Sequence, residues 1–140
     1  MKNIYLLTFL MFAYFNSAAQ NSSCENFKTG NFIMPPEEGY SSVRIERHNN
    51  YQIEIPLNEK GLPDKNKEEQ YINLEWVDDC TYIGKYDATK MELTEFQKFV
   101  NTNGGIKVEM KKIEKGCFFY LSTLTIEGEE QRLDGKMCLE

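Results

Sequence analysis

The chain has one histidine and no pair of cysteines separated by two residues. His48 falls in a predicted turn, which argues against a histidine-dependent catalytic triad, and a zinc cluster with several histidines is excluded. The missing Cys-x-x-Cys spacing argues against a redox-active dithiol. The acidic stretch around Asp64 lacks the glycine and ligand spacing of a calcium loop. The sequence therefore supplies no candidate catalytic residue, cofactor site or metal ligand.

One acidic pair is relevant to the alternative hypothesis that the protein is an enzyme. Asp78 and Asp79 could imitate the paired carboxylates of a hydrolase. Adjacent residues at a turn rarely converge on one bond, so a turn-forming role is favoured. A carboxylate-dependent hydrolase is kept as an alternative to a protein without catalytic activity, and it requires two acidic side chains that converge in a cleft.

The chain also lacks an apolar run of the roughly 20 residues needed to cross a bilayer as a helix. Its longest such stretch, residues 5–15, follows the cationic Lys2 and precedes the small residues Ser17 and Ala19. This pattern predicts a signal peptide over residues 1–19, with Gln20 as the first residue after cleavage. An uncleaved anchor and a lipid on Cys24 are the alternatives, although no aliphatic residue stands just before Cys24. The expected location is extracytoplasmic, periplasmic or secreted.

Cleavage would leave 121 residues, 20–140, with 15 basic and 22 acidic side chains and a net charge of −7. This length predicts a single domain. The negative charge, without any cluster of Lys or Arg, argues against nucleic acid as a partner.

Apolar residues alternate with polar ones along most of the chain, which predicts strands. Residues 43–46 and 51–55 form one predicted hairpin. A three-residue loop, 48–50, would place Ile45 opposite Ile53, with Arg44 opposite Glu54 on the other face. A two-residue loop would instead set Glu46 against Ile53, so the loop length decides which face each residue occupies.

The middle of the chain predicts a second hairpin and one helix. Strands around 72–77 and 80–86 are expected to pair Leu74 with Ile83 around the Asp78 turn. Thr89 and Glu92 have the spacing of a capping box, which predicts a short amphipathic helix over about 90–102.

The last third predicts a hairpin whose register selects a disulfide. A turn centred between Glu127 and Gly128 pairs Phe118 with Met137 and places Cys117 directly opposite Cys138. In this register the cysteines form a non-hydrogen-bonded pair, the closer kind, so we assign a disulfide to them. That assignment leaves Cys24 to pair with Cys80.

Two short motifs carry a resemblance to known proteins. The Cys-x-x-Phe-Lys-Thr-Gly start at Cys24 and the Trp-x-x-Asp-Cys-x-Tyr segment at Trp76 resemble small exported proteins of Bacteroidota. This resemblance implies a β-rich fold and a Cys24–Cys80 bridge, and it implies no activity. The run 30–32, glycine to phenylalanine, is similar to the start of lipocalin-like barrels.

Together these patterns predict a mainly β protein, an antiparallel meander of about eight strands that forms a small barrel or strongly curved sheet, with one short helix. A closed barrel could enclose a small apolar ligand. The candidate lining residues are Phe32, Ile45, Ile53, Trp76, Phe118 and Tyr120. The leading hypothesis is a noncatalytic binding or interaction protein of the cell envelope, whose partner is a small apolar ligand or an envelope protein. A surface-recognition or inhibitor-like module without a cavity is the alternative when the interior is solid.

Overall fold

The computed structural model of the protein describes residues 23–140. The predicted signal peptide, residues 1–19, lies outside these residues. The described part begins with a 3₁₀ turn, Cys24–Phe27, and continues into a sheet.

Residues 23–140 form eight antiparallel strands in simple sequence order, and pairing of the last strand with the first closes them into a barrel. The closing register places Phe32 opposite Leu139 and Ile33 opposite Cys138. The predicted eight-stranded meander is therefore confirmed, in its closed form. The strands are β1 (Gly30–Met34), β2 (Val43–His48), β3 (Tyr51–Pro56), β4 (Gln70–Asp78), β5 (Thr81–Tyr86), β6 (Ile106–Glu114), β7 (Cys117–Ile126) and β8 (Glu129–Leu139).

The two ends of the barrel differ because of how a meander distributes its connections. Tight turns after β2, β4 and β6 all fall at one end, together with the 3₁₀ turn. The longer connections, residues 35–42, 57–69 and 87–105, fall at the other end. We call these the closed end and the open end.

Aromatic packing fills the closed end. Phe27, from the 3₁₀ turn, lies with its ring centroid 4.4 Å from that of Phe118 and 5.6 Å from that of Phe32. All three side chains are almost completely buried. Each such ring contributes roughly 2–3 kcal/mol of burial free energy, so the 3₁₀ turn acts as a plug for this end.

The β7–β8 hairpin has the predicted register. Phe118 lies opposite Met137, and Cys117 lies opposite Cys138. Glu127 and Gly128 both have positive φ, 50° and 85°, as a two-residue hairpin turn requires. Both predicted disulfides are present, Cys117–Cys138 within this hairpin and Cys24–Cys80 between the 3₁₀ turn and the end of β4.

The predicted register of the β2–β3 hairpin is wrong. The loop has two residues, Asn49 and Asn50, and Glu46 lies opposite Ile53. The carbonyl oxygens of both loop residues accept hydrogen bonds from β4, that of Asn49 from the Trp76 indole (2.6 Å) and that of Asn50 from a backbone N–H (2.8 Å). These long-range bonds anchor the shorter loop.

The other central predictions also need correction. The turn between β4 and β5 is formed by Asp79 and Cys80, one residue later than predicted, and a β-bulge between Trp76 and Asp78 offsets part of that shift, so Leu74 lies opposite Gly84 instead of Ile83. The helix α1 covers Glu95–Thr102, later than predicted, because the capping box is formed by Thr94 and Gln97.

The disulfides generate a first prediction. We expect the double substitution Cys24→Ser with Cys80→Ser to lower the free energy of unfolding by about 4 kcal/mol, and Cys117→Ser with Cys138→Ser by about 3 kcal/mol, because the first closes the longer loop. Urea unfolding of the two variants and the oxidised wild type measures both values. An equal or reversed order would contradict the loop-length account.

Candidate functional site: the barrel cavity

The barrel encloses a cavity of about 210 Å³ in its upper half, towards the open end. Its walls are mostly aliphatic and aromatic, with a few polar groups. The lining residues are Met34, Ile45, Gln52, Glu54, Ile72, Tyr82, Gly84, Tyr86, Ile106, Val108, Tyr120, Ser122, Leu133 and Met137. Because inward-facing residues alternate along each strand, all eight strands contribute to this wall.

A groove of about 460 Å³ adjoins the cavity at the open end, between the 35–42 connection and β8. Met34, Tyr120 and Leu133 line both spaces. These three side chains therefore form the neck between the interior and the outer groove. Leu133 is 70% exposed, so the neck reaches the protein surface.

Two glycines shape the cavity by lacking a side chain. Gly84 lies on its wall with ordinary strand geometry, and the nearest atom to a Cβ there would be Ile72 Cγ2 at 3.2 Å, a tight contact with the end of a side chain. Gly135 lies directly opposite Tyr120, and its bare backbone is covered by the tyrosine ring, so any Cβ there would collide with that ring. Gly135 thereby sets the position of the tyrosine at the neck.

A buried arginine lies beneath the residues that line the cavity. Arg47 is 2% exposed and donates three hydrogen bonds to oxygen: Nε to Gln52 Oε1 (2.9 Å), Nη1 to the Phe27 carbonyl (3.0 Å) and Nη2 to Tyr82 Oη (3.2 Å). Its guanidinium also packs against the rings of Phe32, Tyr82 and Phe118, at 5.1–5.7 Å from their centroids. Such a cation is stable inside a protein only when its donors are satisfied.

Gln52 connects this arginine to a carboxylate in the cavity. Its Oε1 accepts from Arg47, and its Nε2 donates to Glu54 Oε1 at 2.7 Å. Burial raises the pKa of Glu54 above its ordinary 4.5, while the hydrogen bond from Gln52 and the charge of Arg47 oppose that rise. Hydrogen bonds thus connect the Arg47 guanidinium through the Gln52 amide to the Glu54 carboxyl group, which lies on the cavity wall.

Tyrosines occupy the rest of the polar wall. Burial and the nearby carboxylate of Glu54 raise the pKa of Tyr86 to about 12, and they also raise the pKa of Tyr82 and Tyr120. All three hydroxyl groups therefore remain protonated around neutral pH and can donate or accept hydrogen bonds.

The six candidate lining residues fall in three places. Ile45 and Tyr120 line the cavity. Phe32 and Phe118 belong to the solid packing of the closed end, below Arg47. Trp76 is also at the closed end, where its ring lies edge-on to that of Tyr82. Ile53 lines a separate groove on the outer side of β3 and β4.

The polar residues of the site are those that the sequence analysis missed. Arg47 and Gln52 were not singled out, and Glu54 was expected to face outward opposite Arg44. The signal was the alternative two-residue loop, which places Ile45, Arg47, Gln52 and Glu54 on one face. That loop places two charged side chains, Arg47 and Glu54, inside the barrel, and the burial of charge is unfavourable unless the charges are paired.

The acidic pair Asp78 and Asp79 lies at the turn after β4. Asp78 accepts a hydrogen bond from the Cys80 N–H (2.8 Å), and Asp79 pairs with Lys28 (3.0 Å). Among the residues that line the cavity, Glu54 is the only acidic one.

Residues 23–140 contain no cluster of three or more His, Cys, Asp or Glu side chains that could hold a metal ion. They also contain no helix that is long and apolar enough to cross a membrane.

Fold and site together define a small disulfide-bonded β-barrel with an interior cavity that opens at one end. Two disulfides are typical of proteins outside the cytoplasm. The chain matches no model of a known protein family, and no curated protein or solved structure shows significant similarity to it.

The buried Arg47 generates a second prediction. We expect Arg47→Met to lower the free energy of unfolding by about 3 kcal/mol, because it leaves three buried acceptors without a donor. Arg44→Met is the matched control, since Arg44 lies on the same strand and makes only a partly exposed ion pair with Glu140, worth less than about 1 kcal/mol. Denaturant unfolding compares them, and equal losses would contradict the structural role of Arg47.

The raised pKa of Glu54 generates a third prediction. Because the folded state holds the Glu54 proton more tightly than the unfolded chain, its contribution to stability is complete below about pH 4.5 and is lost as the pH rises through the folded pKa. Glu54→Gln removes this titration, so the stability of the variant relative to wild type should increase across that window. Tyr82, Tyr86 and Tyr120 stay protonated there, because the pKa of each is raised above its ordinary value.

Urea unfolding at a series of pH values measures the difference. Glu46→Gln, on the outer face of β2, controls for the loss of one negative charge. A relative stability of Glu54→Gln that stays flat or falls with rising pH would show that Glu54 is not desolvated in the folded protein.

Proposed function

We propose that the protein is a noncatalytic, extracytoplasmic binding protein that holds a small, mainly apolar ligand at the open end of its barrel. The observation that carries this proposal is the interior cavity, open at one end, with apolar walls and a few converging polar groups. That combination is typical of small-molecule sites. The two disulfides and the predicted signal peptide support the location.

The size of the cavity sets the size of the ligand. An apolar cavity of roughly 150 Å³ can bind benzene. The interior space of about 210 Å³ therefore suits one ring with a short substituent. A longer ligand would extend through the neck into the outer groove of about 460 Å³.

A surface-recognition module without a ligand is the second candidate. The closed half of the barrel is solid. Tyr40, beside the outer groove, is 78% exposed, and Leu133 is 70% exposed. Exposed apolar side chains of this kind also serve protein contacts. The two candidates differ in whether binding depends on the interior space.

Filling the interior tests the proposal, and it is our fourth prediction. Gly84→Leu would project a side chain into the cavity, whereas Lys85→Leu would add the same side chain to the outer face of the same strand. The neutral dye N-phenylnaphthylamine has three rings, so its phenyl ring would occupy the cavity and its naphthyl group would extend through the neck into the outer groove. We expect Gly84→Leu to weaken binding of this dye by at least about tenfold, or 1.4 kcal/mol, and Lys85→Leu to leave it nearly unchanged. Dye fluorescence measures the affinities, and circular dichroism establishes that both variants are folded.

Failure of the wild-type protein to bind the dye or any small aromatic compound would overturn the cavity proposal and leave surface recognition. Equal affinities for wild type and folded Gly84→Leu would place the bound dye outside the barrel, with the same consequence.

A further inference from the structure

Charge in the cavity comes from a single residue. Of the fourteen residues that line it, only Glu54 has a side chain that can carry a full charge near neutral pH. Its Oε1 accepts one hydrogen bond, from Gln52. No other protein group within residues 23–140 donates to this carboxylate, although a carboxylate has about four acceptor positions. Most of its hydrogen-bonding capacity is thus directed at the cavity.

The nearby cation does not offer a competing site. Arg47 is not part of the cavity wall, since Gln52, Tyr82 and Met137 lie between it and the space above. Its Nε, Nη1 and Nη2 all donate to protein acceptors, and its faces are covered by aromatic rings. A ligand anion would therefore meet the carboxylate of Glu54 and no free guanidinium.

The remaining wall also favours a cation. Tyr82, Tyr86 and Tyr120 surround the cavity with neutral hydroxyl groups and aromatic rings, whose faces attract positive charge. The aliphatic residues Ile45, Ile72 and others supply the surface for an apolar body. The Gln52 amide holds the carboxylate in place, because Arg47 fixes the orientation of that amide from below.

From this geometry we infer that the ligand is a small primary amine with an apolar body of about one ring, whose ammonium group pairs with Glu54 inside the barrel. This inference rests on the proposed binding function and adds the chemical class of the ligand. The pairing brings opposite charges together at a partly buried carboxylate inside the barrel, where their attraction is stronger than in bulk solvent. An arylalkylamine such as phenethylamine has both the charge and the size.

Isothermal titration calorimetry near neutral pH tests the inference with three compounds of similar shape: phenethylamine, the neutral phenethyl alcohol and the anionic phenylpropionate. In the wild-type protein we expect the amine to bind at least about tenfold more tightly than the alcohol, and the anion to bind most weakly. In Glu54→Gln we expect the amine to lose this advantage while the alcohol keeps its affinity. Glu46→Gln, which removes an outward carboxylate from the neighbouring strand, should behave like wild type.

The outcomes separate the inference from the function on which it rests. If the alcohol or the anion binds wild type as tightly as the amine, the cavity is a binding site but the amine class is wrong. If the advantage of the amine persists in folded Glu54→Gln, another group recognises the ammonium and the inference is overturned. If none of the three compounds binds, and the neutral dye does not bind either, the proposed function itself fails.

Discussion

The buried guanidinium of Arg47 is the interaction on which the interior of this barrel depends. A cation inside a protein must have its donors satisfied, and Arg47 reaches three different parts of the chain to do so: the 3₁₀ turn, β3 and β5. These bonds hold the plug residue Phe27 against the closed end and set which side of β3 faces inward. The orientation of Glu54 follows from the same bonds, through Gln52.

The barrel is consequently divided into two halves with different roles. Below Arg47, large rings fill the interior, one disulfide ties the 3₁₀ turn to the β4–β5 turn, and the other links the two strands of the last hairpin. Above it, Gly84 and Ser122 leave space that larger side chains would occupy. A solid lower half can tolerate a cavity above it because the closed end supplies packing that the open end lacks.

The success of the sequence analysis was uneven for a physical reason. In the β7–β8 hairpin, apolar alternation, a glycine turn and opposed cysteines all indicate the same register, and the structure has it. In the β2–β3 hairpin, the alternation of Ile45, Ile53 and Ile55 indicated a three-residue loop, because it placed isoleucines together. The observed loop is shorter because β4 donates hydrogen bonds to the loop carbonyls, while the 3₁₀ turn and β5 supply acceptors that make the polar interior acceptable. The candidate lining residues lie partly in the cavity and partly elsewhere. Aromatic character predicts that a side chain is buried, but it does not predict whether that side chain faces a cavity or solid packing.

The sequence by itself determined the strand-rich meander, the turns that contain glycine and the Cys117–Cys138 pair, because alternation and turn chemistry act between residues that are close along the chain. The Cys24–Cys80 pair then followed as the remaining two cysteines. Only the tertiary structure decided that the barrel closes, that Glu54 points inward and that the free space lies at one end. Closure joins β1 to β8 across the whole chain, and the polar interior is stable only when Arg47, Gln52 and the Phe27 carbonyl meet. Such bonds between distant segments leave no local pattern from which they could be derived.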